Sequence, residues 1–215
     1  MARQLRAEQT RATILGAAAD LFDRQGYEST SLSEIVAHAG VTKGALYFHF
    51  AAKEDLAHAI MEMQSRTSRR LATELDGRGY SSLEALMRLT FGMARLCEEG
   101  PVLRAGLRLA TGGVPVRPPL PHPFTEWREI ASSRLLDAVR QSDVHPDIDV
   151  DSVAHTLVCS IVGTRLVSGT LEPDARQPRR LAGMWYLIIR GMVPVTRRAR
   201  YLTLAARLER DTYAA

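Results

Sequence analysis

Apolar residues recur three and four positions apart through almost the whole chain, and Gly or Pro interrupts the recurrence wherever one segment gives way to the next. That period is the signature of amphipathic helices; an alternating pattern, which a half-buried strand would need, is not found over any convincing length. The spacing predicts about ten helices: Arg6–Arg24, a short one after Ser31, Lys43–Phe48, Lys53–Leu75, one from Ser81 to Cys97, then Val102–Ala110, Thr125–Gln141, Asp151–Thr170, Pro178–Val193 and Arg197–Arg210. The expected fold is all-α. Aromatic residues make up only 6% of the chain, so the core must be built from Leu, Ala, Val and Ile, which suits helix on helix.

Several boundaries carry chemical markers. Gly26 and Gly40 stand where helices should end. Ser31-Leu-Ser-Glu34 reads as a capping box, and Ser81-Ser-Leu-Glu84 as a second. Thr42 is a good N-cap, and Glu54 and Asp55 favour the dipole of the helix that follows Lys53. Gly112 to Pro123 holds five of the ten prolines and cannot be helical; a loop this long is usually functional or mobile.

With 215 residues, 24% charged and 46% apolar, the chain is expected to fold as one or two domains. Val153–Leu171 and Leu181–Val195 are apolar, but His155, Arg165 and Arg190 interrupt them, so no membrane span is expected. The N-terminus lacks the apolar run of a signal peptide. Cys97 and Cys159 form no disulfide framework or metal spacing, which points to the reducing cytoplasm. The six histidines fit no zinc motif, and neither a nucleophile elbow nor a phosphate loop is present. No catalytic residue, metal or cofactor is therefore expected, and the chain does not read as an enzyme. A net charge of +4 permits nucleic-acid binding without requiring it. Only two of the 28 basic residues are lysines, Lys43 and Lys53.

Both lysines fall in Gly26–Leu56, the informative stretch. Two short helices joined by a tight glycine-containing turn, behind a long amphipathic helix, form the layout of a helix-turn-helix. In such a reader the second helix places its first residues against base edges in the major groove. Thr42, Lys43 and Gly44 fit that position: lysine can donate to guanine O6 and N7, and glycine lets the backbone come close. Tyr47, His49 and Lys53 lie within reach of phosphates or bases. Short helices with glycine turns also occur in proteins that bind no DNA, so a helical adaptor using the same motif for protein contacts is the alternative.

Gly26-Tyr27, Thr30, Ile35, Ala39-Gly40-Val41-Thr42-Lys43-Gly44, Leu46-Tyr47, Phe50, Lys53-Glu54 and Leu56 resemble the TetR family of transcriptional regulators almost position for position. Phe48-His49-Phe50 and the C-terminal layout, including PLPHPFTEW, resemble its γ-butyrolactone autoregulator receptors of streptomycetes. The resemblance implies a DNA-binding domain over 1–52 and an effector-binding, dimerising domain over 53–215. It implies a homodimeric repressor on a pseudo-palindromic double-stranded operator, released by a small hydrophobic effector and controlling secondary metabolism. It also implies that Trp127 contacts the effector. Receptors for butyrolactones in this subfamily tend to be acidic, whereas basic members often answer to antibiotics; this chain is basic, so both effector classes stay open.

From the residues alone, Trp127 shares a face with Phe124, Ala131 and Leu135, and a tryptophan on an apolar face is usually core. Gln64 is expected to face inward beside Met63, where an amide is costly unless satisfied. Thr164, with Ser160 and Cys159, is a further lining candidate, although hydroxyls also bond back to their own helix. Trp185 fits a core or a subunit interface. Two apolar stripes, Val153/Leu157/Ile161/Thr164 and Leu181/Trp185/Ile188/Ile189, suggest a four-helix bundle formed from two helices of each subunit.

Overall fold

The computed structural model describes residues 2–114, 119–120, 122–171 and 177–213. It contains α1 (Ala2–Gln25), α2 (Leu32–Ala39), α3 (Lys43–His49), α4 (Lys53–Asp76), α5 (Ser82–Glu99), α6 (Pro101–Thr111), α7 (Pro123–Arg140), α8 (Val150–Leu171), α9 (Gln177–Met192) and α10 (Val195–Tyr213). The described residues include no strand. Helix ends match the expected ones to within a few residues, and α1 begins about a turn before the expected Arg6. Of the proline-rich segment, residues 115–118 and 121 lie outside the described residues.

The chain packs as two compact units, Met1–Ser68 with Leu96–Pro123, and Arg69–Arg95 with Phe124–Ala215. In the first, α1 packs on α2, α3 and α6. Ile14, Ala18, Phe22, Ile35, Leu46, Leu56 and Ile60 are fully buried. The Asp23 carboxylate, near the end of α1, takes Arg104 Nε of α6 at 2.6 Å, while Arg104 Nη1 donates to the Cys97 carbonyl at 2.7 Å. Arg108, one turn on, donates to the Asp23 carbonyl. One acidic side chain and two arginines thus fasten α6 to α1.

Of the two side chains expected to face inward together on α4, Gln64 does and Met63 does not. Met63 is 39% exposed, whereas Ala57, Met61, Gln64 and Ser68 are buried.

The second unit is built around Phe91, Leu83, Met87, Leu135, Leu157, Leu181, Ile189 and Tyr201, with Trp185 fully buried among them. The Trp185 indole donates to Thr90 Oγ1 at 2.9 Å, which satisfies its one polar atom. Trp185 is therefore core. Leu157 and Ile189 are buried too, so the two stripes expected at a subunit interface mostly face inward. Among the described residues of α8 and α9, the exposed large apolar side chains are Leu166 and Val167, 46% and 52% exposed, and Leu187, 75% exposed. Val150–Val167 of α8 is also long and apolar enough to cross a membrane, with mean hydropathy 1.3, although His155 and Arg165 had argued against a span there. Buried Arg134 of α7 donates to the Ala72 carbonyl at 2.8 Å and pairs with Asp76 at 2.9 Å, closing the C-terminal turn of α4.

The first capping box forms in full: the Glu34 amide donates to Ser31 Oγ at 3.2 Å and the Ser31 amide to Glu34 Oε2 at 2.7 Å. The Ser31 backbone N–H, and then its hydroxyl, hold the Glu34 carboxyl below the usual carboxylate range. The second box forms only by half. Ser81 Oγ accepts from the Glu84 amide at 3.4 Å, but the Glu84 carboxylate is taken by Arg88 at 2.8 Å and Arg200 at 3.2 Å. Guanidinium charge outcompetes a backbone amide for a carboxylate.

Ser81 Oγ also lies 2.9 Å from the Tyr201 hydroxyl. Burial, and then the Asp143 carboxylate, push the Tyr201 phenol from the usual 10 to about 12. Tyr27 in the first unit is raised to about 12 as well, by burial and then Glu54. Between these values the unfolded chain loses the proton and the folded chain keeps it, so stability falls as pH rises through that window; below it, both states are protonated and neither group matters. Tyr201→Phe should remove about 1 kcal/mol of the stability that the parent loses between about pH 10 and about pH 11, read from urea midpoints. An unchanged slope would mean that Tyr201 ionises in the fold.

Candidate functional site

The turn between α2 and α3 is set by Gly40. Its φ of +64° is left-handed, a conformation that costs a side-chain-bearing residue energy, and the Gly40 and Val41 amides return to the Ala37 and Val36 carbonyls at 3.3 and 3.2 Å. Thr42 then caps α3, its Oγ1 accepting from the Ala45 amide at 3.1 Å. Leu46 is the inward anchor of α3 and Phe50 is buried just beyond it. Each residue turns a helix by about 100°. Burying Leu46 therefore turns Gly44, Tyr47 and Phe48 away from the core, while Lys43 clears it from the first turn; all four are exposed.

The six candidate DNA-contact residues differ in what they present. Lys43 extends into solvent from the first turn. A Cβ added at Gly44 would meet only Thr42 Oγ1, at 3.9 Å, so the outward side there is open. Tyr47 is 55% exposed. The partly buried His49 ring lies 5.0 Å from Phe48, edge-on, and 6.4 Å from Phe50. The Thr42 hydroxyl is occupied as an acceptor by its cap but retains its own proton to donate. Lys53 turns inward: Nζ donates to the Tyr27 and Thr30 carbonyls at 2.9 and 3.0 Å and sits 4.2 Å from the centre of the Tyr27 ring. It ties the start of α4 to the segment ahead of α2.

Sequence reasoning passed over Phe48, the most exposed large apolar side chain among the described residues, at 78%. The signal was available, because a residue two positions beyond an inward Leu46 on a helix must point away from the core.

The effector candidates divide between the units. In the first, Gln64 is 1% exposed and its Oε1 accepts no hydrogen bond. Its amide lies over Gly106 of α6, where a Cβ would come within 2.5 Å of Oε1. In the second, Trp127 is partly buried on α7, its ring 5.8 Å from that of Phe124. Thr164 is partly buried on α8. A groove of about 510 Å³ between α7 and α8 is lined by Phe124, Arg128, His155, Val158, Cys159 and Leu166 among others, but by neither Trp127 nor Thr164. Cys159 Sγ lies 3.4 Å from His155 Nε2 there.

Residues 14–60 match the model of bacterial regulatory proteins of the tetR family, and residues 80–194 that of the tetracyclin repressor-like C-terminal domain. A crystal structure of a gamma-butyrolactone receptor, an ArpA-like protein, superposes with a TM-score of 0.89 at 85% identity, covering 96% of this chain and 99% of that one. The TetR family protein CprB from Streptomyces coelicolor, solved in complex with its biological operator sequence, is 88% identical with a TM-score of 0.89, covering 95% of this chain and 98% of that one. The A-factor receptor protein of Streptomyces griseus is 40% identical over 190 residues, 88% of this chain; the match spans 66% of that relative's length, just under two thirds.

Proposed function

Since the chain belongs to the TetR family of transcriptional regulators, we propose that it is a DNA-binding repressor of the γ-butyrolactone receptor type, released from its operator by a small hydrophobic effector. The observation that carries this reading is the outward face of α3, where Lys43, Gly44 and Tyr47 stand in solvent behind a left-handed Gly40 turn. Residues 1–52 bind DNA, and 53–215 take the effector and dimerise. Thr42, Tyr47 and His49 serve the phosphates and Lys43 a base edge; Lys53 acts mainly by holding the motif together. The effector is a butyrolactone or an antibiotic, and secondary metabolism is what it controls. The protein works in the cytoplasm without metal, nucleotide or catalytic chemistry.

Gln64 and Trp127 are assigned to the effector. A buried amide oxygen without a donor costs about 1–3 kcal/mol, and a hydroxyl on the effector would satisfy it. Thr164 is assigned as further lining. The exposed apolar residues Leu166, Val167 and Leu187 supply a face that a second copy covers, which also accounts for the apolarity of α8 without a membrane. A dimer in turn matches a pseudo-palindromic operator, one half-site to each subunit.

Footprinting on the DNA flanking the chain's own gene, with and without culture extract, tests the reading. Protection of a pseudo-palindrome that extract abolishes supports it. No protected site, with retention on a protein partner instead, would favour the adaptor. Light scattering at micromolar concentration should give a dimer. Lys43→Ala should cost about 1–3 kcal/mol on the operator and relax base preference. If Lys43 meets only phosphate, the loss is uniform across sequences and the salt slope falls by about one.

A further inference from the structure

Phe48 is the one large side chain of α3 whose placement neither the fold nor the assigned contacts explain. Phe22, Phe50 and Phe91 are 0 to 3% exposed, whereas Phe48 is 78% exposed. Its ring touches His49 edge-on, a contact that orients it without covering it. An exposed phenylalanine contributes nothing to the core, yet holds apolar area available to a partner. Phe48 lies one turn after Gly44 on the same outward face, and Lys43 and Tyr47, further round the helix, are exposed as well. The open side of Gly44 lets the backbone of α3 approach a surface closely, so a ring one turn further on reaches the same surface.

Resting on the DNA-binding reading above, we propose that Phe48 determines sequence specificity by packing against the C5-methyl group of a thymine in each half-site. The chemistry selects this partner. Of the groups on major-groove base edges, the thymine methyl is the apolar one, and the rest are hydrogen-bond donors and acceptors that a phenyl ring cannot pair. The face of α3 then reads two features with two side chains: a cation for a guanine edge and a ring for a thymine methyl.

Deoxyuridine in place of thymine deletes that methyl group and leaves base pairing intact. The probe is the operator duplex bound by the Streptomyces coelicolor relative, in copies with each thymine pair related by the two-fold replaced in turn, and affinity is read by fluorescence anisotropy. The parent should lose about fourfold for each methyl it buries, at one or two positions per half-site. Phe48→Ala should bind the unmodified duplex more weakly and be indifferent to replacement at those same positions, while thymines elsewhere affect both proteins alike. Phe48→Leu, which keeps apolar reach, should retain part of the sensitivity; it is read alongside Phe48→Ala at lowered salt, and matched thermal melts show that both variants fold.

The proposal is overturned if the parent is indifferent to every replacement, which would place the ring on sugar or away from DNA. It is also overturned if Phe48→Ala keeps the parent's sensitivity. A parent that fails to bind the unmodified duplex would refute the DNA reading itself, an outcome distinct from either.

Discussion

Gly44→Val should weaken operator binding by about 100-fold or more, near 3 kcal/mol, with the melting temperature held or slightly raised. Both halves of that result follow from the same observation. A Cβ at Gly44 meets nothing within the fold but Thr42 Oγ1, at 3.9 Å, and valine forms helix at least as well as glycine. The protein therefore accommodates the side chain. DNA does not, because the added methyls stand on the side of α3 that has to approach the groove, holding Lys43 and Phe48 back from base edges. Operator affinity and thermal melts of parent and variant, measured together, separate the two. A variant that binds as tightly as the parent would show that α3 does not meet the groove at Gly44.

Trp127→Ala should leave operator binding near the parent's and sharply reduce release by effector. Trp127 lies on α7, far along the chain from α3, so its removal deletes no base contact. An effector releases DNA only as far as it binds the non-DNA-binding arrangement better than the other. Losing a contact specific to one arrangement removes that preference while the unliganded equilibrium stays where it was. The stability cost is about 3–5 kcal/mol if the ring is all core and smaller if it borders a pocket already hollow. The partial exposure of Trp127 favours the smaller figure. Titrating the protein–operator complex with an active extract, parent beside variant, gives the answer. Equal release at equal extract would return Trp127 to the ordinary packing residues.

The elements of this fold were legible because local chemistry marks them. Gly40, Ser31, Glu34 and Thr42 carry out in the structure the capping roles their identities suggest. Family membership was legible for the same reason, since the helix-turn-helix is a local motif. What stayed hidden depends on partners distant in sequence. Glu84 reads as the closing residue of a capping box until Arg200, 116 positions on, arrives beside it. Lys53 reads as a phosphate contact until the Tyr27 and Thr30 carbonyls are found to hold its ammonium. The stripes on α8 and α9 read as an interface because periodicity reveals that a face is apolar, but not whether a neighbour within the chain already covers it.

The bonds from Arg104 and Arg108 to Asp23 bear on how this protein can be taken apart. The unit that contains the helix-turn-helix is assembled from two separated stretches of chain, with α6 returning to complete the packing of α1. No single cut in the gene releases it whole. A fragment ending at residue 52, or even at 68, would bare the side of α1 that α6 covers and leave Asp23 without its arginines. For chimeric regulators that graft a new effector specificity onto this DNA reader, the transferable DNA-reading piece is therefore a pair of segments, and α6 has to be inherited with α1.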